Sequence, residues 1–462
     1  MKMHAKVMNV QHATYSFGAG VFFRLIIVLA FLLYAAGLTA KTPGSKTPGV
    51  FRAAVVKIDI TPNSPKMLLG YQARQSTGVH DRIYHRIIAL DDGVNQFFLV
   101  SSDICVISPS EYDHVAGLLQ QQLGINPQNF WWSLTHTHSA PEVGVPGLPA
   151  VFMGERYKHP VDTAYTREVE EKLINGIIEA RKNLAAAKLG VGWGFSQANI
   201  NRRAIDENGK ASLGMNPDGE VDRRIGLMRI DKADGTPLVL ISNYPIHGTV
   251  LGGTNLDISA DVPGLVSEYI EEKTGVPLLF INGAAGNLAP IYSTYPNIRS
   301  SHLGEFRVLL GDKILAANKL ITTTTGTVKL NTGSLMVETP RRAGLGWPED
   351  MGKYSRTSKT GDNTILLPIR FLKINEDIAI WSAPVELFCE ISNAVRESSP
   401  FPFTFYFGYT NGWLGYLPSE DQFKYGGYEV ETVCPFTPSV QKDLTEAVVG
   451  YLHGEMRSMA TK

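Results

Sequence analysis

Two histidines stand two residues apart in Trp131–Glu142, WWSLTHTHSAPE: His136 and His138. Imidazole nitrogens ligate transition metals and carry protons near neutral pH, so an H-x-H pair can serve either task. The pair follows an apolar run, Phe130–Leu134, that reads as a buried strand. Strands alternate faces with a period of two, which predicts both rings on one side of the strand end. Taken alone, such a pair more often ends a strand in solvent or against backbone carbonyls. A metal site needs donors from elsewhere in the chain.

Three further places supply them, each just after a predicted strand, where a rigid scaffold can aim a side chain. NYPIHGT (Asn243–Thr249) puts His247 after the strand Leu238–Tyr244. WSAPVE (Trp381–Glu386) puts Glu386 after the strand Ile378–Trp381. YTNGWLGYLPSEDQFKYGGYE (Tyr409–Glu429) is a loop crowded with Tyr416, Tyr425 and Tyr428. Two histidines and a carboxylate make a plausible zinc set. Each also has an ordinary alternative: a turn histidine before Gly248, a first-turn acid of a following helix, tyrosines used for packing. The Gly-rich FINGAAGNLAP (Phe280–Pro290) is not a phosphate loop, since it lacks the Gly-Lys-Ser/Thr ending.

The elements that must position these residues alternate along the chain. Strands are expected at Ala53–Ile60, Phe97–Ser101, Phe130–Leu134, Leu189–Phe195, Ile225–Ile230, Leu238–Tyr244 and Pro277–Ile281. Helices are expected at Ser110–Leu123, at Thr163–Ala186, and from a capping Asp261 to Lys273, with an amphipathic stretch at His302–Lys319. Val328–Val337 reads as extended, and Arg341–Asn363 as a long polar loop and the best internal boundary. Strands Ile365–Ile374, Ile378–Trp381 and Phe403–Tyr409 follow, then a helix near Val440–Met456. The pattern predicts an α/β protein: a mixed β-sheet core with flanking helices in a single large catalytic domain, the last third completing the same domain.

The 462 residues carry a formal charge of −1 with 44% hydrophobic and 19% charged side chains, an ordinary globular composition without a nucleic-acid footprint. Residues 1–40 hold three bases, Lys2, Lys6 and Arg24, no acid, and the apolar run Leu25–Leu38. That segment reads as a signal peptide ending near Ala40, with an uncleaved anchor as the alternative. Its removal takes the formal charge from −1 to −4. Residues 41–50 are a Pro/Gly/Ser linker, and 51–462 the catalytic domain. The location implied is periplasmic or secreted, membrane-attached if the anchor reading holds. The three cysteines form no disulfide framework; one bridge, Cys389–Cys434, is allowed, with Cys105 a buried thiol.

The ordered set THTHSAP, NINRR (Asn199–Arg203), NYPIHGT, ISADVPG (Ile258–Gly264), FINGAAGNLAP, PVE (Pro384–Glu386) and GYLPSEDQFKYGGYE resembles the neutral/alkaline ceramidase family, zinc-dependent amidases that split the N-acyl bond of ceramide. The resemblance runs in order from about Ala53 to the end of the chain. It implies Zn2+ held by His136, His247, Glu386 and Tyr416. It implies His138 beside the metal and unligated, Arg202 at the substrate's polar end, and Tyr428 facing the scissile group. The family's Gly-rich loop has an Asp and a Ser where Asn287 and Ala289 stand here, which removes a hydroxyl nucleophile. The segment after Asn-Arg differs, and the chain stops before the further immunoglobulin-like domain of well-studied members. The implied partner is a lipid-like N-acyl amide at a membrane surface, with no nucleic acid. Two alternatives stand beside this: a zinc hydrolase of the same architecture acting on another amide, a lactone or an ester, and an inactive metal-bearing envelope protein that binds lipid or glycan.

Overall fold

Two β-sheets lie face to face, with helices on the outer surface of each. A computed structural model describes residues 49–293 and 302–460; the proposed signal segment and most of the linker lie outside them. The first half supplies β1 (Arg52–Asp59), β2 (Tyr84–Asp91), β3 (Gln96–Ser102), helix α1 (Pro109–Leu123), β4 (Phe130–Leu134), α2 (Leu148–Met153) and α3 (Thr163–Lys182). Then come β5 (Ala185–Phe195), β6 (Asn199–Ile205), β7 (Ala211–Asn216), β8 (Arg224–Lys232), β9 (Pro237–Tyr244), α4 (Asp261–Thr274), β10 (Leu278–Asn282) and β11 (Leu288–Pro290). The last third holds α5 (Asp312–Leu320), β12 (Leu330–Pro340), β13 (Asn363–Ile374), β14 (Ile378–Ser382), β15 (Glu386–Leu387), α6 (Cys389–Ser398), β16 (Phe403–Phe407), β17 (Tyr416–Leu417) and α7 (Val440–Ala460).

The larger sheet runs β10-β9-β8-β5-β1-β2-β3-β4 and the smaller β12-β13-β14-β16. Both are mixed: β3/β4, β9/β10 and β14/β16 pair parallel, the rest antiparallel. Side chains of a central strand are buried on both faces, so alternation sorts them between two cores. In β2 and β3, Ile88, Leu90, Phe97 and Leu99 enter the inter-sheet core with Leu372, Ile380 and Phe405 of the smaller sheet. Their neighbours Ile87, Ala89, Phe98 and Val100 face the other way, toward Val169, Leu173 and Ile177 of α3. The expected mixed sheet with flanking helices in a single domain is therefore what forms. The last third contributes a second sheet packed on the first.

Local departures from the sequence reading have tertiary causes. Helix α3 stops at Lys182 with Asn183 as its cap, short of Ala186, because Ala185 and Ala186 pair with β1 and Ala187–Phe195 forms a nine-residue antiparallel register with β8. Strand β2 is not expected from the sequence: YHRIIALD opens with polar residues, and these are covered because the smaller sheet lies on one face of the strand and α3 on the other. The stretch His302–Lys319 is not one helix but a 3-10 turn, a π turn and then α5. Ala260, not Asp261, occupies the N-cap position of α4. Arg341–Asn363 contains a 3-10 helix, Glu349–Tyr354, with Met351 and Tyr354 buried. The allowed Cys389–Cys434 bridge is absent: all three cysteines are buried free thiols. Cys389 and Cys434 each direct their S–H to a local carbonyl, of Glu220 at 3.3 Å and Phe436 at 3.6 Å. Among the described residues no helix is long and apolar enough to cross a membrane.

The parallel pairs share one consequence. The loops after β4, β9, β14 and β16 leave the carboxyl ends of parallel-paired strands, the end at which α/β sheets collect ligands. Those loops carry His136, His247, Glu386 and Tyr409. The loop after β10 presses on the Glu386 loop where a small residue allows it. Gly286 donates its N–H to Leu387 O at 2.8 Å, and a Cβ there would sit 2.5 Å from Glu386 O. Gly286→Ala is expected to lower unfolding stability by about 1–3 kcal/mol, the range for forced overpacking. Chemical denaturation checks this; an unchanged midpoint would mean the two loops are not pressed together.

Candidate metal centre

Strand alternation does not explain how His136 and His138 converge. Strand β4 ends at Leu134, and His136 sits in the left-handed region at φ 62. For a non-glycine residue that backbone costs about 1–3 kcal/mol and persists only where the surroundings enforce it. Here they do. His136 N–H donates to Ile104 O at 3.0 Å and His138 N–H to Gly248 O at 2.8 Å. Thr137 Oγ1 donates to Ser259 O at 2.7 Å, and Ser259 N–H to Ser139 O at 2.9 Å. The ISADVPG tract is thus a clamp on THTHSAP. Its Asp261 carboxylate accepts the N–H groups of Val250 and Leu251, fixing the loop after His247.

One side chain ties both histidine loops together. Asn282, fully buried at the end of β10, accepts Ile246 N–H at 3.0 Å and donates to Ile246 O at 2.7 Å and Thr135 O at 3.2 Å. These are the residues immediately before His247 and His136.

The ring nitrogens are oriented from behind. His136 Nδ1 donates to Cys105 O at 2.9 Å, and His247 Nδ1 to Leu288 O at 2.9 Å. Both Nε2 atoms therefore point forward, the orientation typical of metal-ligating histidines whose other nitrogen is held by a backbone carbonyl. They meet at one atom: Glu386 Oε2 lies 3.2 Å from His136 Nε2 and 3.1 Å from His247 Nε2. Tyr416 Oη is 3.2 Å from His247 Nε2. Glu386 and Tyr416 are themselves paired in register across the parallel strands β15 and β17. Tetrahedral zinc with bonds of about 2.0–2.1 Å sets its ligand atoms about 3.3–3.4 Å apart. The observed 3.1–3.2 Å spacings fit such a donor set.

The electrostatics point the same way. Burial alone would raise the Glu386 carboxyl, yet the charge of His136 beside it holds it well below the usual carboxylate range. Burial opposes a charge on His136, but Glu386 and Cys105 push it up to about 10. Burial, with Arg202 acting in the same direction, takes His247 down to about 3. The pocket demands positive charge at Glu386; a proton on His136 supplies it here, and a divalent cation could take that proton's place and use both Nε2 lone pairs. A second group, Cys105, His136 and His138, also brings donor atoms together. There Cys105 Sγ approaches the His136 nitrogen that is already donating to Cys105 O.

The remaining expected residues gather around this cluster. His138 Nε2 lies 3.0 Å from His136 Nε2, while its Nδ1 is buried without a partner. Burial first, then His136 and His247, keeps His138 well below its ordinary value, hence neutral. Tyr428 stands at the mouth, 36% exposed, its ring 5.9 Å from that of Tyr416. Arg202 joins the cluster but is not in the cavity wall. Its Nη2 donates to Tyr416 Oη at 2.9 Å and its Nε to Glu429 at 2.9 Å. Burial pushes the Tyr416 phenol up, with the Arg202 guanidinium pulling against it.

Four positioning residues were not read from the sequence: Asn282, Tyr409, Trp413 and Glu429. Tyr409 Oη donates to Glu386 Oε2 at 3.2 Å and its ring stacks on His136 at 4.0 Å. Trp413 Nε1 donates to Glu386 Oε1 at 3.0 Å. Glu429 joins Arg202 to Arg203, whose Nη1 donates to it at 2.7 Å. Aromatics in a loop look like packing, and an Asn after a strand looks like a turn.

Residues 51–279 match the family described as neutral/alkaline non-lysosomal ceramidase, N-terminal. Over this stretch the chain belongs to that ceramidase family. It is 30% identical to neutral ceramidase B of Dictyostelium discoideum over 233 residues, covering 47% of this chain but only 31% of that protein. It is 24% identical to the neutral ceramidase of Pseudomonas aeruginosa over 283 residues, covering 58% of this chain and 41% of that protein. The crystal structure of the Pseudomonas neutral ceramidase superimposes with a TM-score of 0.69 at 19% identity, covering 86% of this chain and 73% of that one. The fold is therefore that of a neutral ceramidase. The matched stretch holds His136, His138, Arg202 and His247; Glu386, Tyr416 and Tyr428 lie beyond it and reach the same point through the fold.

Trp413→Phe removes one donor from Glu386 and leaves the ring in place. Metal affinity, read by competition with a chelator, is expected to fall by about 10–100-fold, the range for losing a hydrogen bond to a ligating carboxylate. Unchanged affinity would remove Trp413 from this role.

Proposed function

We propose that the protein is an exported zinc amidohydrolase that cleaves the N-acyl bond of ceramide or a related N-acyl lipid, releasing a fatty acid and an amine. The observation that carries the reading is the convergence of His136 Nε2, His247 Nε2, Glu386 Oε2 and Tyr416 Oη within a ceramidase fold. These four residues are the proposed zinc ligands. Zinc held there supplies the charge that polarises an amide carbonyl and acidifies a water to a pKa of about 7.

The rest is done by side chains of this chain. His138 is neutral, lines the cavity and has a free Nδ1. It takes the proton from the attacking water and returns it to the departing nitrogen. Tyr428, at the mouth, hydrogen-bonds the reacting group. Arg202 acts from behind Tyr416, balancing negative charge on the phenol oxygen. This placement favours an electrostatic role over direct contact with the substrate's polar end. Gly70 packs against the His138 ring, where even a Cβ would come within 2.5 Å, and so fixes the ring plane. The basic, acid-free N-terminal segment supports export, and the substrate class places the enzyme at a membrane surface.

The free volume against the cluster is about 50 Å3, lined by Leu69, Tyr71, Phe152, Met153 and Trp413 among others. That admits a carbonyl and its immediate substituents, with longer chains directed out past Tyr428. The size favours a second reading, hydrolysis of a smaller amide, lactone or ester by the same machinery.

Turnover of ceramide and of short N-acyl amides by the metal-quantified protein decides between these. His138→Ala is expected to retain metal and lose about 10²–10⁴ in kcat. His136→Ala and His247→Ala are expected to lose metal and activity together. Full activity in His138→Ala would make that histidine structural. Cleavage of short amides or lactones but never ceramide would leave the scaffold assignment standing and end the lipid one.

A further inference from the structure

A second cavity, of about 190 Å3, is lined in part by Ser382 and Pro384, on the stretch that leads to Glu386. Its wall includes Asp113 of α1, Lys353 and Tyr354 of the 3-10 turn, Arg370 of β13, Ser382 of β14 and Asn411. Arg370 and Ser382 are directly opposed across the antiparallel β13/β14 pair, so both project from one face. Ser382 is fully buried and its Oγ has no partner. Asn411 is 6% exposed; its Oδ1 accepts Trp132 N–H at 2.8 Å, and its Nδ2 has no partner. The charges do not cancel. Lys353 is paired with Asp113, whose carboxylate also receives the Tyr354 hydroxyl at 2.8 Å. Arg370 has no carboxylate partner among the described residues, and its polar neighbour is the neutral Tyr112 hydroxyl. One guanidinium, one amide N–H pair and one hydroxyl therefore belong to the wall of one cavity, whose single carboxylate, Asp113, is already taken by Lys353 and Tyr354. Buried donors of this kind are normally satisfied.

We propose that this cavity is a binding site for a small oxyanion, a carboxylate or a phosphate. Arg370 supplies the charge, and Asn411 Nδ2 and Ser382 Oγ donate the orienting hydrogen bonds. Guanidinium and amide donors in the wall of one cavity suit a planar or tetrahedral oxyanion. The site is wired to the metal cluster. Asn411 is two residues after Tyr409 and two before Trp413, the residues that hold the two oxygens of Glu386. Asn411 also stands in the left-handed region at φ 66, as Tyr409 does at φ 51. A bound anion would pin this strained loop.

Calorimetric titration of the metal-loaded full chain with inorganic phosphate, and separately with butyrate, tests the proposal. One of the two anions is expected to bind saturably at one site per chain, and the identity of the tighter one separates phosphate from carboxylate ligands. Arg370→Gln is expected to weaken binding at least about 10-fold, as for loss of a charged hydrogen-bond partner. Asn411→Asp keeps the acceptor for Trp132 N–H but replaces the orphan donor with an acceptor, and should abolish binding. Ser382→Ala removes an unsatisfied hydroxyl; it should fold normally and weaken binding less than Arg370→Gln. Absence of saturable binding by both anions would overturn the proposal. So would equal affinity in wild type, Arg370→Gln and Asn411→Asp, which would place the anion at the metal cluster instead.

Discussion

Two imidazole lone pairs aimed at one carboxylate oxygen are mutually repulsive unless positive charge sits among them. This constraint at His136, His247 and Glu386 governs the surrounding structure. The carboxylate is 3% exposed, so water does little to screen it. An uncompensated charge buried this deeply costs several kcal/mol, of order 3–5 when a buried pair is broken. Everything near the three atoms either fixes a lone pair or supplies charge. The carbonyls of Cys105 and Leu288 set the tautomers. Tyr409 and Trp413 hold the carboxylate oxygens. Arg202, anchored by Glu429, sits against the phenol oxygen of Tyr416.

Such an arrangement cannot be built on relaxed loops alone. His136, Tyr409 and Asn411 all take up left-handed backbone, a conformation disfavoured for residues with a side chain. Two features hold it. The loops leave the carboxyl ends of buried, parallel-paired strands, so their starting points are rigid. Backbones then approach where glycine permits: a Cβ on Gly248 would lie 2.7 Å from Thr137 Cα, and one on Gly286 meets Glu386 O. Asn282 adds a direct link between the loops before both histidines. Fold and site are thus coupled, with strain at the site held by packing around it.

The donor residues were legible because they combine unusual types with strand-end positions. His136, His247, Glu386 and Tyr416 meet at one point from four separate stretches of chain. The reason first offered for the histidine pair was not the operative one. Period-two alternation would place both rings on one face of β4, but β4 ends before them and a left-handed residue turns the chain. Such a backbone conformation leaves no mark in an H-T-H sequence. The mixed sheet was legible from alternating apolar runs, while its division into two facing sheets was not, since burial from one side or both leaves similar runs. Strand β2 escapes because it opens with polar residues, and α3 is overextended because only pairing with β1 shows Ala185 to be a strand residue. Positioning residues such as Trp413 and Glu429 act across more than 25 and 200 residues of sequence separation, to Glu386 and Arg202 respectively, which no local pattern encodes.

The central claim is that the metal is held by His136, His247, Glu386 and Tyr416 rather than by Cys105 with the histidine pair. X-ray absorption at the zinc edge of the loaded protein tests it directly. The account predicts a shell of nitrogen and oxygen atoms at about 2.0–2.2 Å with two imidazoles and no sulfur. A sulfur scatterer at about 2.3 Å would make Cys105 a ligand and contradict it.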